Sequence, residues 1–501
     1  MSPRVMTGAI ALGLLALQAG CATPADDAAL GSARNALPQA PSAWQAPLPR
    51  EQGASPADAA WWQRLGDPLL PELIAAARDA SPTLSAAASR IERARATRTA
   101  ASAAMQPRLD AQASTSRARN EPGGPTLAST SVGVQAAWEL DLFGGRGAAR
   151  DAAAARVVAA QAGWHAARVA LAAETAQAYL ALRACEAQLG QARLDAESRE
   201  QTSRLSELSA RAGTLAPAAA ALARASAAQG RAQAAQQQAA CESQIKALVS
   251  LTAIDEPELR RRLATTTARQ PAAPGLAVSA LPAELLGRRP DLVAAAQQLQ
   301  AAAADRRATA ALRRPTVTFS GSLGGLRLGG DVERVQGSVW SIGPLSVSIP
   351  LLDGGRLAAE EAAARAAYDD AVVQLQAGVR DAVREVEQAL VALDSTATRE
   401  ADARAAVDGY EASLRAADAR FRGGLANLFE LEDARRSAAA ARSALIELQR
   451  ERAAAWVSLY RALGGGFDGA DLQLRGGFDG ADLQLRGGFD AADLQPVAAT
   501  R

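Results

Sequence analysis

The chain has 501 residues with 54 Lys and Arg against 53 Asp and Glu, a formal charge of +1, which leaves no basic field for nucleic acid and no acidic field for a cationic partner. A single histidine, His165, has no second His or acidic cluster beside it, so no metal, no cofactor and no catalytic constellation is expected. Aromatics make up only 4% while alanine is abundant, which suits closely spaced helices.

Arg4, the apolar run 10–17 and QAGC at 18–21 together read as a secretory signal over 1–20. Cleavage before Cys21 frees a thiol and an amine for acylation. The stretch resembles a bacterial lipobox, although Gln18 stands where Leu is usual. The plainer alternative is an ordinary signal peptide beside a bystander cysteine. Ala22, rather than Asp, follows, and lipoprotein sorting then implies the outer membrane, with 21–60 as an extended linker. One lipid chain anchors marginally, so a second hold on the bilayer is expected. No later stretch is apolar over about 18 residues, which leaves β-strands as the means of crossing.

Two halves follow the same plan. Pro82 and Pro290 lie 208 residues apart, as do Pro107 and Pro315; the GGR triplets at 144–146 and 354–356 lie 210 apart; RAGTL (211–215) and RGGLA (422–426) lie 211 apart. This is a duplicated unit, 61–270 and 271–464, too long in period for a solenoid. Each half runs from a short helix (68–104, 282–312) through two strands, GGR and a long helix to a return helix. The strands are expected at 107–118 and 128–142, then at 315–328 and 336–351. The long helices follow at 148–212 and 358–422, and the return helices at 217–250 and 427–463.

In the strands, Leu109, Ala111 and Ala113 alternate with Asp110, Gln112 and Ser114, and Val132, Val134 and Trp138 with Ser131, Gly133 and Glu139. Gly343-Pro344 breaks the alternation and predicts a bulge. Each strand can make a tilted bilayer crossing of about 9–11 residues, but four strands cannot close a barrel alone, so in lipid they must join strands of other copies. A soluble β-subdomain is the alternative.

Each long helix would extend for about 100 Å. The second carries a coiled-coil seam at Tyr368, Val372, Leu375, Val379, Ala382, Val386, Ala389 and Leu393. Shifted back by 211, these positions become Val157, Gln161, Trp164, Arg168, Leu171, Thr175, Ala178 and Leu182. Cys185 lies 28 residues before Gly213 and Cys241 lies 28 after it, so a hairpin turning at Gly213 sets the two sulfurs level. A disulfide and two buried thiols are both compatible with that spacing. At the GGR triplets, Gly144, Gly145, Gly354 and Gly355 provide for the bend from strand to helix. Asp353 is available as N-cap in the second copy, whereas Phe143 replaces it in the first.

WWQRLGDPLLPELIAAA (61–77), LPAELLGRRPDL (281–292), PLLDGGRL (350–357) and YRALGGG (460–466) resemble the signature stretches of TolC-type outer-membrane efflux factors, in their NodT/OprM-like lipoprotein branch. The similarity runs from about Trp44 to Gly466. It implies an α+β duct: a homotrimeric twelve-stranded β-barrel, four strands per chain, continued by a coiled-coil periplasmic tunnel. It also implies a periplasmic adaptor and an inner-membrane efflux pump of the proton-driven RND type as partners, outer-membrane lipid around the barrel, and passive exit of drugs or other small toxic compounds. Gly213, Thr214 and Leu215, with Gly424, Leu425 and Ala426, then mark the tunnel tips where the adaptor docks. Glu430 and Asp433 fall where the family places acids lining the constriction; on their own chemistry, beside Arg435 and Arg436, they read as a solvated surface. The first half has no acid at the matching place in 216–226. A coiled-coil lipoprotein without a pore is the rival reading, and a soluble adaptor is disfavoured by the two spanning hairpins. The tail departs from the family: GGFDGADLQLR at 465–475 recurs at 476–486 and, truncated, at 487–495, which reads as a flexible product of slippage.

Overall fold

The computed structural model describes residues 41–49, 61–119, 121–271, 278 and 287–467. The signal 1–20, Cys21, most of the linker 21–60, residues 281–286 of the LPAELL stretch and the tail beyond 467 lie outside them. The helices are α1 (Leu69–Ala80), α2 (Pro82–Ala103), α3 (Gly145–Arg211), α4 (Pro217–Thr252), α5 (Glu256–Leu263), α6 (Pro290–Ala311), α7 (Arg356–Arg422) and α8 (Leu428–Ala462). The strands are β1 (Arg108–Ala118), β2 (Leu127–Leu140), β3 (Thr316–Gly330) and β4 (Val335–Ser348).

The expected short helix over 68–104 is two helices. Ser81 is extended, its hydroxyl accepts from the Leu84 amide at 3.2 Å, and Pro82 opens α2, so the chain stops and restarts there. In the second half the matching helix begins at Pro290, which sits in its first turn.

The four strands form one antiparallel sheet in the order β1-β2-β3-β4. Pairing of β2 with β3, from Leu127↔Gly330 to Leu140↔Val317, joins the two halves edge to edge. The register slips between Phe319 and Gly321, where Gly343 and Pro344 face the single residue Ser320. This is the bulge that the Gly-Pro pair predicts. It keeps Ile342 and Leu345 on one face, since their partners Gly321 and Phe319 are two residues apart.

The long helices α3 and α7 each have 67 residues, about 100 Å of helix. The α7 seam lies where the heptads put it: Tyr368, Leu375, Ala382, Val386, Ala389 and Leu393 are buried, with Val372 and Val379 half-buried. In α3 the projected positions Val157, Thr175 and Leu182 are buried and Gln161, Trp164, Arg168, Leu171 and Ala178 half-buried, and a second buried stripe runs one residue later, through Ala162, His165, Val169, Ala172, Ala176, Tyr179 and Arg183. The cause is its neighbours: α3 packs against α1, α2, α4, α6 and α8, whereas α7 packs mainly on α6 and α8. His165 is therefore a core residue, its ring centroid 5.1 Å from that of Phe467.

The main core lies partway down the helices. Trp61 stacks on Tyr460 at 4.9 Å between centroids, surrounded by Leu70, Leu73, Leu182, Leu248 and Leu390. Buried in the same region, Arg183 donates to the Tyr179 hydroxyl at 2.9 Å and to the Leu263 carbonyl at 3.2 Å, and pairs with Glu186 at 2.8 Å. The Tyr179 hydroxyl in turn donates to Asp67. A buried guanidinium is tolerable only with this many acceptors around it.

Candidate functional site

The two faces of the sheet differ in chemistry. One presents Leu109, Val132, Val134, Trp138, Phe319, Leu323, Trp340, Ile342, Leu345 and Val347, all markedly exposed, with Trp340 at 71% and Ile342 at 79%. The other carries a ladder of hydroxyls: Ser114 to Ser131 at 2.8 Å, Ser116 to Ser129 at 2.8 Å and Ser322 to Ser341 at 2.9 Å. Between them, Gly133 and Gly324 let β2 and β3 approach so closely that an added Cβ at Gly324 would lie 2.6 Å from the Val132 carbonyl oxygen. No helix among the described residues is long and apolar enough to cross a membrane. An apolar side set against a hydroxyl side is the pattern of a sheet with lipid on one side and water on the other.

Below the sheet both GGR triplets turn strand into helix by different means. In the second, Gly354 and Gly355 are both left-handed (φ 66 and 90), and Asp353 accepts from the amides of Gly355 at 3.0 Å and Leu357 at 2.8 Å. The Leu357 and Gly355 N–H groups hold the Asp353 carboxyl below the usual carboxylate range. In the first, only Gly144 is left-handed (φ 73); Gly145 is instead constrained by space, an added Cβ lying 2.8 Å from that of Ala311. The cap missing at Phe143 comes from Asp141, which accepts from Arg146 N at 3.1 Å and Gly147 N at 2.7 Å. The Arg146 side chain pairs with Glu139 and donates to the Ala104 carbonyl at 2.9 Å, tying sheet, α2 and α3 together.

At the far end, both hairpins close with a left-handed glycine, Gly213 (φ 77) and Gly424 (φ 71). Thr214 N donates to Ser209 O at 3.0 Å and Leu425 N to Arg420 O at 2.8 Å, the six-to-one bonds of Schellman turns. Leu425 is 75% exposed, and Ala426 leads to Asn427, whose side chain caps α8 through Glu430 N at 2.9 Å. Glu430 is thus engaged within its own hairpin, pairing with Arg420 at 3.4 Å, while Asp433 points to solvent. Arg435 is not the solvated neighbour that its surroundings in the sequence suggest. It donates to the Thr202 hydroxyl on α3 at 2.6 Å and pairs with Glu432 at 3.0 Å, binding one hairpin to the other. Neither Thr202 nor Glu432 has a sequence signal, because the pairing arises only when the hairpins pack. Beside this contact a groove of about 710 Å³ runs between α3, α4 and α8, lined by Gln188, Asp195, Arg199, Gln229, Phe429 and Arg436 among others.

Midway along the hairpin, Cys185 and Cys241 are joined, Sγ to Sγ 2.10 Å and Cα to Cα 5.6 Å. No cluster of His, Cys, Asp and Glu among the described residues could hold a metal ion.

The profile of a family described as outer membrane efflux protein matches residues 73–254 and 281–465, two blocks whose starts lie 208 residues apart and whose ends lie 211 apart, the spacing of the internal repeat. Outer membrane protein OprJ of Pseudomonas aeruginosa is 32% identical over 452 residues, covering 87% of this chain and 92% of that protein. Pyoverdine export outer membrane protein OpmQ of Pseudomonas putida is 28% identical over 441 residues, 85% of this chain and 92% of that protein. Among solved structures, the outer membrane protein VceC of Vibrio cholerae superposes with a TM-score of 0.71 at 26% identity, covering 82% of this chain and all of that one.

Proposed function

The chain belongs to the outer membrane efflux protein family, and from that premise we propose that it is the outer-membrane exit duct of a tripartite efflux system. Three copies close one twelve-stranded barrel, and their helices continue it as a periplasmic tunnel. The observation that carries this reading is a sheet with lipid-suited and water-suited faces and two unpaired edges, β1 and β4. Each unsatisfied backbone group in lipid costs several kcal/mol, so an edge of eleven or more residues must find a partner strand. Cyclic pairing of β4 with β1 of the next copy satisfies both edges at once.

Passage through such a duct needs no chemical step, and none is assigned to it. Small toxic compounds reach the tunnel from a proton-driven inner-membrane pump of the RND type through a periplasmic adaptor. The adaptor engages the tips at Gly213, Thr214, Leu215, Gly424, Leu425 and Ala426, where exposed Leu425 and the adjoining polar groove offer a surface for helical hairpins. Glu430 and Asp433 flank the constriction, with exposed Asp433 the freer of the two to face the lumen.

A lipid on Cys21 fits the reach of the N-terminal arm. Trp44 is buried against the helices, and the amides of Gln45 and Ala46 donate to Glu387 at 2.7 and 2.9 Å. Glu387 lies 31 residues into α7 from Arg356, about 46 Å below the barrel. The 23 residues from Cys21 to Trp44 extend to about 78 Å, enough to return to the inner leaflet.

The test is electrical. A purified heat-sensitive trimer reconstituted in planar bilayers should conduct, more so with Asp433→Ala; a trimer that never conducts, even with that substitution, returns the chain to the class of poreless coiled-coil lipoproteins.

A further inference from the structure

Above the apolar band, the lipid-facing side of the sheet turns basic. Arg117 pairs with Ala128, and Ala128 with Gly329, so the three positions share the face that lower down carries Val134, Leu323 and Trp340. An added Cβ at Gly329 would meet the Arg334 side chain at 3.7 Å, which lays Arg334 over the same face. One row below, Arg327 stands opposite Thr130 and Gln336. These rows hold no acid. Among the described residues Arg327 and Arg334 form no ion pair, and Arg117 feels Asp331 only through space, whereas many arginines of the helices are paired.

Height decides what such side chains can meet. Gln336 is four residues beyond Trp340 on β4, about 10 Å further along the membrane normal for a strand tilted by roughly 40°. From Trp340 down to the end of β4 at Ser348 the apolar side spans about 20 Å, so with the 10 Å above Trp340 the Arg327 row lies beyond an apolar band of about 25 Å. The arginines therefore stand at outer headgroup level. Unpaired guanidinium is costly among acyl chains but matches phosphate in a bidentate fashion at the surface.

We propose that Arg117, Arg327 and Arg334 form a docking surface for the phosphate groups of a phosphorylated glycolipid in the outer leaflet. The inference rests on the barrel reading. Barrel closure brings the corner of β1 with Arg117 beside the β4 corner with Arg334 of the next copy, which sets one such cluster at each seam.

The experiment is native mass spectrometry of the detergent-solubilised full-length trimer titrated with diphosphoryl lipid A, its dephosphorylated form, and inorganic phosphate as competitor. The wild type should retain diphosphoryl lipid A. The triple variant R117A/R327A/R334A should bind it on the order of a hundredfold more weakly, about fivefold per arginine. The dephosphorylated lipid should bind the wild type no better than diphosphoryl lipid A binds the triple variant. Should the triple variant fail to assemble, Arg327→Gln, in mid-sheet, should still show about a fivefold loss. Equal retention of both lipid forms, or retention unchanged by the substitutions, overturns the proposal. Displacement by millimolar inorganic phosphate also overturns it, in favour of a soluble-anion site. Trimer mass and conductance of the same samples report separately on the duct.

Discussion

Arg435 of the second hairpin donates to the Thr202 hydroxyl of the first at 2.6 Å, and Thr202 donates to Glu432 at 2.9 Å. Thr202 is 3% exposed, while the Arg435 and Glu432 side chains keep 20% and 16% exposure, so the triangle is buried at its hydroxyl and partly exposed at its charged corners. It lies eleven residues before Gly213, roughly 16 Å from the tip. If the hairpins part when the tunnel opens, this contact must break. A hydrogen bond to a charged group is worth about 1.5–3 kcal/mol, so Arg435→Ala or Thr202→Val should raise the open fraction of reconstituted channels about tenfold or more. Single-channel recording measures it, and an unchanged open fraction would leave the triangle a packing contact only.

The Tyr179 hydroxyl, buried between Asp67 and Arg183, gives the core an alkaline limit. Burial, then the hydrogen bond to Asp67, pushes its pKa up to about 12 from the ordinary value of 10. Because the folded value is the higher, the stabilisation is complete below pH 10 and is lost as pH rises through 12. The loss is on the order of 3 kcal/mol for a two-unit shift. Helix melting followed by circular dichroism across pH 9–12 should therefore steepen in the wild type and flatten in Tyr179→Phe.

Much of the fold was legible because the duplication prints each landmark twice. Pro82 and Pro290, the GGR triplets and the tip glycines all sit at the start, junction or turn that their chemistry suggests. Alternation likewise separated the sheet faces, down to the Gly343-Pro344 bulge. What stayed hidden depends on packing between distant segments. A second buried stripe on α3, one residue after the seam projected from α7, is set by the five helices that surround α3. Asp141, two residues before Phe143, takes the capping place that Asp353 holds in the second copy, and Gly145 matters through Ala311 rather than through its own dihedral. The Thr202–Arg435 contact joins residues 233 apart and follows no local pattern.

The Cys185–Cys241 bridge spans 56 residues across the first hairpin, with Cα atoms 5.6 Å apart. Peptide mapping without reductant should recover the two cysteines in one linked species. The double variant Cys185→Ser/Cys241→Ser should lose about 2–4 kcal/mol of helical-domain stability, the usual worth of a native disulfide. Free thiols at both positions in protein exported to an oxidising compartment would dismiss the bridge.

Gly424 offers the cleanest test of the tip. It is left-handed at φ 71, and an added Cβ meets nothing within 4 Å, so a larger side chain there projects into solvent and perturbs only the backbone. The left-handed region costs a non-glycine residue about 1–2 kcal/mol, too little to undo a 67-residue helix and its partner α8. Gly424→Trp should accordingly leave the trimer assembled, while the indole obstructs whatever seats on the turn beside Leu425. Asparagine tolerates the same dihedral with a small side chain, so Gly424→Asn should retain function. Drug susceptibility in a strain depending on this duct separates the outcomes: resistance lost with Trp and kept with Asn supports docking at the tip, whereas full resistance with Trp places the partner's contact elsewhere.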